Sequence, residues 1–155
     1  MSSHSVAAYY FRNHEASKKT FLGEWLRTND QYELGEGGVL TYQGRSDDLF
    51  KSGGIWVSPI QVESTLLAHP SVAEASVVAE RDAQGLEKPI AYVVLKSGHS
   101  PGDGMAQELR SFTRERLAVY KCPKSFHFVP ELPKTASGKI QRFKLRQRAG
   151  QGTTS

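Results

Sequence analysis

The chain has 155 residues, 38% hydrophobic and 23% charged, with a net charge of +4. That balance allows one domain of ordinary size with a small appendage and excludes a disordered polyelectrolyte. No apolar run reaches the roughly 18–20 residues that cross a bilayer. A single cysteine, Cys122, excludes an internal disulfide and a cysteine-rich metal site.

Taken in chain order, the opening MSSHSVAAYYFRNHE lacks the charged-then-apolar pattern of a secretory signal. With the lone Cys122 this leads to the expectation of a reducing, cytoplasmic setting. Residues 1–44 hold aromatic and glycine-rich pieces without a sustained period and read as the edge of something larger. Gly37-Gly38 before VLTY predicts a β-hairpin turn feeding a short strand. Ser58-Pro59 predicts an N-cap and first helical position. The helix should reach about His69, with Val62, Leu66 and Leu67 inward and Pro70 as its stop. VAEASVVAE (72–80) and PIAYVVLK (89–96) predict two strands, paired antiparallel across RDAQGLEK. Met105, Leu109, Phe112 and Leu117 lie near helical spacing and predict a helix over 104–118. SFHFV (125–129) predicts a third strand, and a short basic helix should begin at about Arg142. Helices and strands intermingled around a small sheet of about three strands, preceded by a β-hairpin, give an α+β fold.

Charge is distributed unevenly. Residues 121–148 carry eight Lys/Arg against one acid, Glu131. Such a run suits a polyanion, and it equally suits a solvated helix face. Chemistry-bearing motifs are sparse: there is no GxSxG, HExxH or Walker A lysine motif. The five histidines (4, 14, 69, 99 and 127) are scattered without ligand partners at metal spacing, so no metal site is assigned. Asp47 and Asp48 are adjacent and would point apart in a regular strand, poor geometry for a carboxylate pair. Two glycine-bearing stretches remain, GRSDDLFKSGG (44–54) and PKTASGKIQR (133–142).

Those two stretches, in that order and with VSPIQVE after the first, resemble the C-terminal domain of the acyl-adenylating (AMP-binding) synthetases. That superfamily comprises acyl- and aryl-CoA ligases, peptide-synthetase adenylation domains and beetle luciferases. The tail GKIQRFKLR is most similar to the benzoate-CoA ligase branch, and the resemblance runs from about Tyr9 to Arg148. FLGEWLRTNDQYE resembles the end of the family's large domain, with Thr28-Asn29-Asp30 where Thr-Gly-Asp is usual. The resemblance implies a trailing edge of the large domain over 1–44, a mobile C-terminal lid domain over 45–148 and a disordered tail over 149–155. It also implies a two-step reaction. A carboxylate attacks the α-phosphate of ATP to give acyl-AMP and pyrophosphate, and coenzyme A then displaces AMP to give the thioester. The implied partners are a large N-terminal adenylating domain and a small aromatic carboxylate, with no membrane. ATP/AMP and coenzyme A are the implied cofactors. Mg2+ is expected with ATP in the parent enzyme, without ligands in this chain.

Site residues carry over position by position. Lys139 matches the lysine that enters the active site for adenylation, where a compact ammonium stabilises charge shared between carboxylate, α-phosphate and pyrophosphate. Asp30 matches the aspartate that binds the ribose hydroxyls, and Arg45 the arginine that contacts the nucleotide; a local surface Asp–Arg pair is the alternative. Asp47 matches the hinge, a place where a turn-capping aspartate would also fit. Lys51 sits where luciferases carry a lysine used in their second half-reaction. Gly53 and Gly54 match the loop lining the pantetheine tunnel, and are compatible with a plain hairpin turn. Tyr120, Lys121 and Lys124 match positions that meet the nucleotide end of coenzyme A in some aryl-CoA ligases. The family's phosphate-binding loop and acyl pocket have no counterpart in this sequence, so the chain is expected to be inactive alone. Two rival readings are a non-catalytic interaction or regulatory domain docking on a synthetase, and a basic nucleic-acid-binding module.

Overall fold

The computed structural model describes residues 14–22, 25–26 and 29–151; His4, Tyr9, Thr28 and 152–155 lie outside them. Helix α1 (His14–Thr20) and the pair β1 (Phe21–Leu22) and β2 (Trp25–Leu26) come first. Strands β3 (Asp30–Leu34) and β4 (Leu40–Arg45) then form an antiparallel hairpin. Its turn, Glu36–Gly38, places Gly37 at φ 76° and Gly38 at φ 78°, the left-handed region glycine enters without steric cost. The expected glycine turn is there, whereas its first strand, DQYEL, escaped notice. Tyr32 and Leu34 on it are exposed, so no buried face enforces an alternating pattern.

A second hairpin joins β5 (Phe50–Ser52) to β6 (Ile55–Val57). Gly53 (φ 60°) and Gly54 (φ 84°) supply its two-residue turn, the both-positive geometry that matches strand twist. Phe50 and Val57 are buried in the core, which leaves Lys51, Ile55 and Trp56 facing outward.

Helix α2 (Pro59–Leu67) begins as expected: Ser58 Oγ accepts from the Gln61 N–H at 3.4 Å, and Pro59 occupies the first turn. Its buried stripe is Pro59, Val62, Glu63 and Leu66. Leu67, expected inward, is 48% exposed.

The central sheet orders β7 (Val72–Arg81), β8 (Glu87–Leu95) and β9 (Ser125–Phe128). β7 and β8 are antiparallel, and β9 lies parallel to β8, the return being made through helix α3 (Asp103–Arg114). α3 ends before the 118 expected; Leu117 lies beyond it, half-buried against the core. Strand alternation explains the mixed pattern of VAEASVVAE. Ala75, Val77, Ala91 and Val93 face Val62, Leu66 and Leu109 of α2 and α3. Val78, Ile90 and Tyr92 face the opposite way, onto Leu132 and onto Leu145 and Ala149 of helix α4 (Arg142–Gln151). A sheet covered on both sides has no polar face to alternate. α4 runs past the boundary expected at 148 and buries Ala149. The α+β class, the three-stranded sheet with flanking helices and the preceding hairpin all match the sequence reading.

Two polar side chains fasten the layers. His69, 3% exposed, accepts the Ser71 N–H at Nδ1 and meets Glu108 Oε1 through Nε2 at 3.1 Å, with its ring edge-on to Phe112. The Tyr92 hydroxyl donates to the Leu145 carbonyl at 3.4 Å, and burial pushes its phenol above the usual value of 10.0.

Leu145 is fully buried, so Leu145→Ala should destabilise the chain by about 2–5 kcal/mol through lost contact and residual cavity. Leu67→Ala should stay within about 0.5 kcal/mol; urea titration of both variants separates the two positions. Tyr92 yields a pH dependence. Its folded pKa is raised, so its contribution is fully present below pH 10.0 and is lost as pH rises through the folded value. Thermal midpoints measured between pH 9 and 11 should fall more steeply for the parent chain than for Tyr92→Phe.

Candidate functional site

Residues matched to nucleotide binding meet at the open end of the β3–β4 hairpin. Asp30 and Arg45 are register partners there, and both precede the turn 46–48. Asn29 holds φ 61°, the one positive value at a described non-glycine residue. Asparagine tolerates this region better than most side chains, so it reproduces the backbone that glycine would adopt there. The Asn29 carbonyl accepts the Ser46 N–H at 2.7 Å, which ties the residue before Asp30 to the turn after Arg45.

That turn contains Asp47. Its carboxylate is 65% exposed and meets Arg45 Nη2 at 3.5 Å, a contact worth little in water. The N–H groups of Asp48 and Leu49 return to the Arg45 carbonyl at 3.0 and 3.3 Å. A tight, locally bonded turn thus joins the hairpin to everything that follows. Behind it Gly44, buried at φ 117°, leaves just enough room for Ile60 of α2, whose Cδ1 would lie 3.3 Å from an added Cβ.

An open cleft of about 540 Å3 lies between hairpin and α2, lined by Gln31, Tyr32, Ser46, Trp56, Gln61 and Lys121 among others. Lys121 Nζ donates to Gln61 Oε1 at 2.6 Å. Lys51 reaches over the Trp56 ring at 4.9 Å, while its N–H is held by Glu87 Oε2 at 3.3 Å. The exposed Gly53–Gly54 turn lies on the same hairpin. Tyr120 is half-buried against the α2/α3 core, which limits the ring face it can offer a base. Lys124 is exposed, with its N–H on the Pro89 carbonyl and its own carbonyl accepting from Arg110. Cys122 is half-buried between these lysines, and burial pushes its thiol up, away from a reactive thiolate.

Lys139 is placed apart, outside the residues that line the cleft. Thr135 N–H donates to the Lys139 carbonyl at 2.8 Å, the Lys139 N–H donates to Thr135 Oγ1 at 3.1 Å, and Gly138 takes φ 80° at the tip. Residues 135–139 are exposed, but both feet of the loop are fixed. Lys134 Nζ meets Glu74 Oε2 at 2.7 Å, and Gln141 N–H donates to the Pro133 carbonyl at 2.8 Å. The pliable tip is thus carried on a rigid base.

The base is completed by side chains that sequence reasoning did not single out. Glu63, 7% exposed, accepts the Val77 N–H at 2.8 Å and the Ser76 hydroxyl at 3.3 Å on the free edge of β7. Arg142 grips the same carboxylate with Nη2 at 2.7 Å and Nε at 3.2 Å, and reaches Asp48 with Nη1 at 3.2 Å. Burial alone would lower the Arg142 pKa; hydrogen bonds and charge from Glu63, with Asp48, more than offset this and hold it above its ordinary value. The available signal was a carboxylate one position after Val62, inside an apolar helical stripe, which must have a cation. Asp47 and Asp48 do diverge, as adjacency suggested, but in a turn rather than a strand.

Contacts within the fold engage part of the basic run. Of its eight cations, Lys121, Lys134, Arg142 and Arg146 are engaged within the fold. Among the described residues no group of three or more His, Cys, Asp or Glu side chains could hold a metal ion. No described helix is long and apolar enough to cross a membrane.

The chain is 49% identical to a benzoate–CoA ligase of Thauera aromatica over 94% of its length, and 42% identical to a 4-hydroxybenzoate–CoA/benzoate–CoA ligase of Rhodopseudomonas palustris over 95%. It spans 28% of the length of each of these relatives. The structure superposes on the anthranilate CoA ligase AuaEII, solved with anthranoyl-AMP, with a TM-score of 0.93 at 45% identity, covering 99% of this chain and 30% of that one. A benzoate CoA ligase from Burkholderia xenovorans LB400 gives 0.79 at 49% identity, covering 89% and 27%. Residues 61–139 match the model of the AMP-binding enzyme C-terminal domain, and the chain belongs to that family.

Proposed function

We propose that this chain is the C-terminal lid domain of an AMP-forming aryl-CoA ligase acting on benzoate or a closely related acid. The observation that carries the reading is that two exposed motifs sit on different elements of the fold. The Lys139 loop lies on one part of the lid and the Gly53–Gly54 hairpin with Lys121 on another, joined to the preceding hairpin by the Asp47 turn. Turning about Asp47 would present either part to a common centre.

In the first step a carboxylate oxygen bonds to the α-phosphorus of ATP as the bond to pyrophosphate breaks. The Lys139 ammonium donates to the oxygens on which charge accumulates, while Asp30 and Arg45 hold ribose and nucleotide. In the second step the coenzyme A thiol attacks the acyl carbonyl and AMP departs. The glycine turn then lines the pantetheine path, and Lys121 and Lys124 face the phosphates. Lys51, held over Trp56, is available to this second step. Mg2+ bound to ATP would neutralise part of the phosphate charge, and no residue role in this chain depends on it.

The partner is a large adenylating domain. Tyr32, Leu34, Val39, Leu40 and Tyr42 expose apolar surface on the β3–β4 hairpin, and a surface of this kind is ordinarily covered. A chain with one cysteine suits a reducing, cytoplasmic setting. A nucleic-acid-binding role is not favoured, because Lys134, Arg142 and Arg146 of the basic run are already ion-paired within the fold. A purely regulatory docking role leaves the exposed, doubly anchored Lys139 loop without a purpose.

Two experiments use a ligase formed by joining this chain to the large domain of the Burkholderia xenovorans enzyme. Lys139→Ala should slow acyl-AMP formation about 10²–10³-fold and spare thioester formation from supplied acyl-AMP, since one preorganised charge is lost at the first transition state. Rapid-quench measurement of each half-reaction decides; adenylation at the parental rate would sink the assignment. Asp47→Pro fixes φ near −65° and removes an N–H. It should hold one lid orientation and impair thioester formation more than adenylation, and equal slowing of both steps would remove Asp47 as the pivot.

A further inference from the structure

Asp47 and Asp48 are neighbours in sequence, yet they are held by different parts of the molecule. Before the pivot, Ser46 is bonded to Asn29 of the hairpin. After it, Asp48 points inward with its side chain 19% exposed, taking Arg142 Nη1 on Oδ2 at 3.2 Å and Arg146 Nη1 on Oδ1 at 3.3 Å. Both arginines lie on α4, and Arg142 follows Lys139 by three residues. The far edge of the Arg142 guanidinium is locked on Glu63, and Gln141 is tied back to Pro133. Charge-assisted bonds therefore join the pivot turn to Arg142, and the neutral Gln141–Pro133 backbone bond carries the connection to the base of the lysine loop.

Resting on the adenylation role given above to Lys139, we propose that Asp48 is a positioning residue for that step. Through Arg142 and Arg146 it fixes the Lys139 loop to the lid end of the pivot, so that turn, α4 and lysine move as one body. The bonds that cross Asp47, from the Asp48 and Leu49 N–H groups to the Arg45 carbonyl, are short-range and can exchange during rotation. The two arginine contacts lie wholly on the lid side and need not change. Without Asp48, α4 keeps its hold on Glu63, but the pivot turn and the lysine loop can shift independently. A displacement of about 1 Å at the reacting centre suffices for a loss on the order of 10²-fold.

Two measurements test this. In the joined ligase, Asp48→Asn should slow adenylation about 10–100-fold with little change in thioester formation, and Asp48→Glu should recover part of the loss. Arg146→Gln, which removes only the more exposed contact, should give a smaller loss of the same kind. In a Lys139→Ala background Asp48→Asn should cost nothing further, because it acts only through the lysine. Equal slowing of both half-reactions, or additive losses in the double variant, overturns the proposal while leaving the ligase reading intact. Failure of Lys139→Ala itself to slow adenylation overturns both, and is distinguishable for that reason. In the 155-residue chain, hydrogen exchange supplies a readout independent of catalysis. Asp48→Asn should speed exchange of the Lys139 and Gln141 amides about tenfold, the effect of one lost charge-assisted bond, while amides 90–93 of β8 stay protected. Unchanged loop amides, or equal loosening of the sheet, count against it.

Discussion

The bidentate pair between Glu63 and Arg142 is the contact on which the remaining arrangement depends. Glu63 belongs to the helix on one face of the sheet and Arg142 to the helix on the other, and they meet at the free edge of β7. The carboxylate also satisfies the Val77 N–H, which has no neighbouring strand to accept it. Three requirements are met at once: a strand edge is closed, two layers are joined and a buried charge is neutralised. Removing either partner would leave the other's charge buried and unpaired, which typically costs about 3–5 kcal/mol.

From this clamp follows the contrast between rigid and mobile parts. Fixed positions lie immediately beside exposed ones: Arg142 beside the Lys139 loop, Phe50 and Val57 beside the Gly53–Gly54 turn, Asp48 beside Asp47. The proposed lid role would call for such neighbours, because a loop placed on a soft base loses the precision that transition-state stabilisation requires. The β3–β4 hairpin likewise carries exposed apolar side chains, Tyr32, Leu34, Leu40 and Tyr42, beside the buried Gly44.

Much of this was legible in the order of residues. The glycine turns at 37–38 and 53–54, the Ser58 cap and the antiparallel β7–β8 pair follow from local rules of φ, capping and alternation. The two motif stretches pointed to the family whose C-terminal domain model matches residues 61–139. Other features escaped because their causes are not local. Strand β3 is exposed and therefore unpatterned, and the parallel placement of β9 is set by the α3 crossover.

The sequence by itself determined where the chain turns, which stretches are apolar and which motif lysine stands on a glycine-bearing loop. Those properties reside in single residues or short windows, and water and sterics read them directly. Only the tertiary structure decided that Glu63, Asp48 and Arg142 are one cluster, that part of the basic run is spent internally, and that Asn29 takes a glycine-like backbone in this turn. Those outcomes depend on side chains as many as 94 positions apart converging at a strand edge. A charge has no partner in a sequence until packing places one beside it.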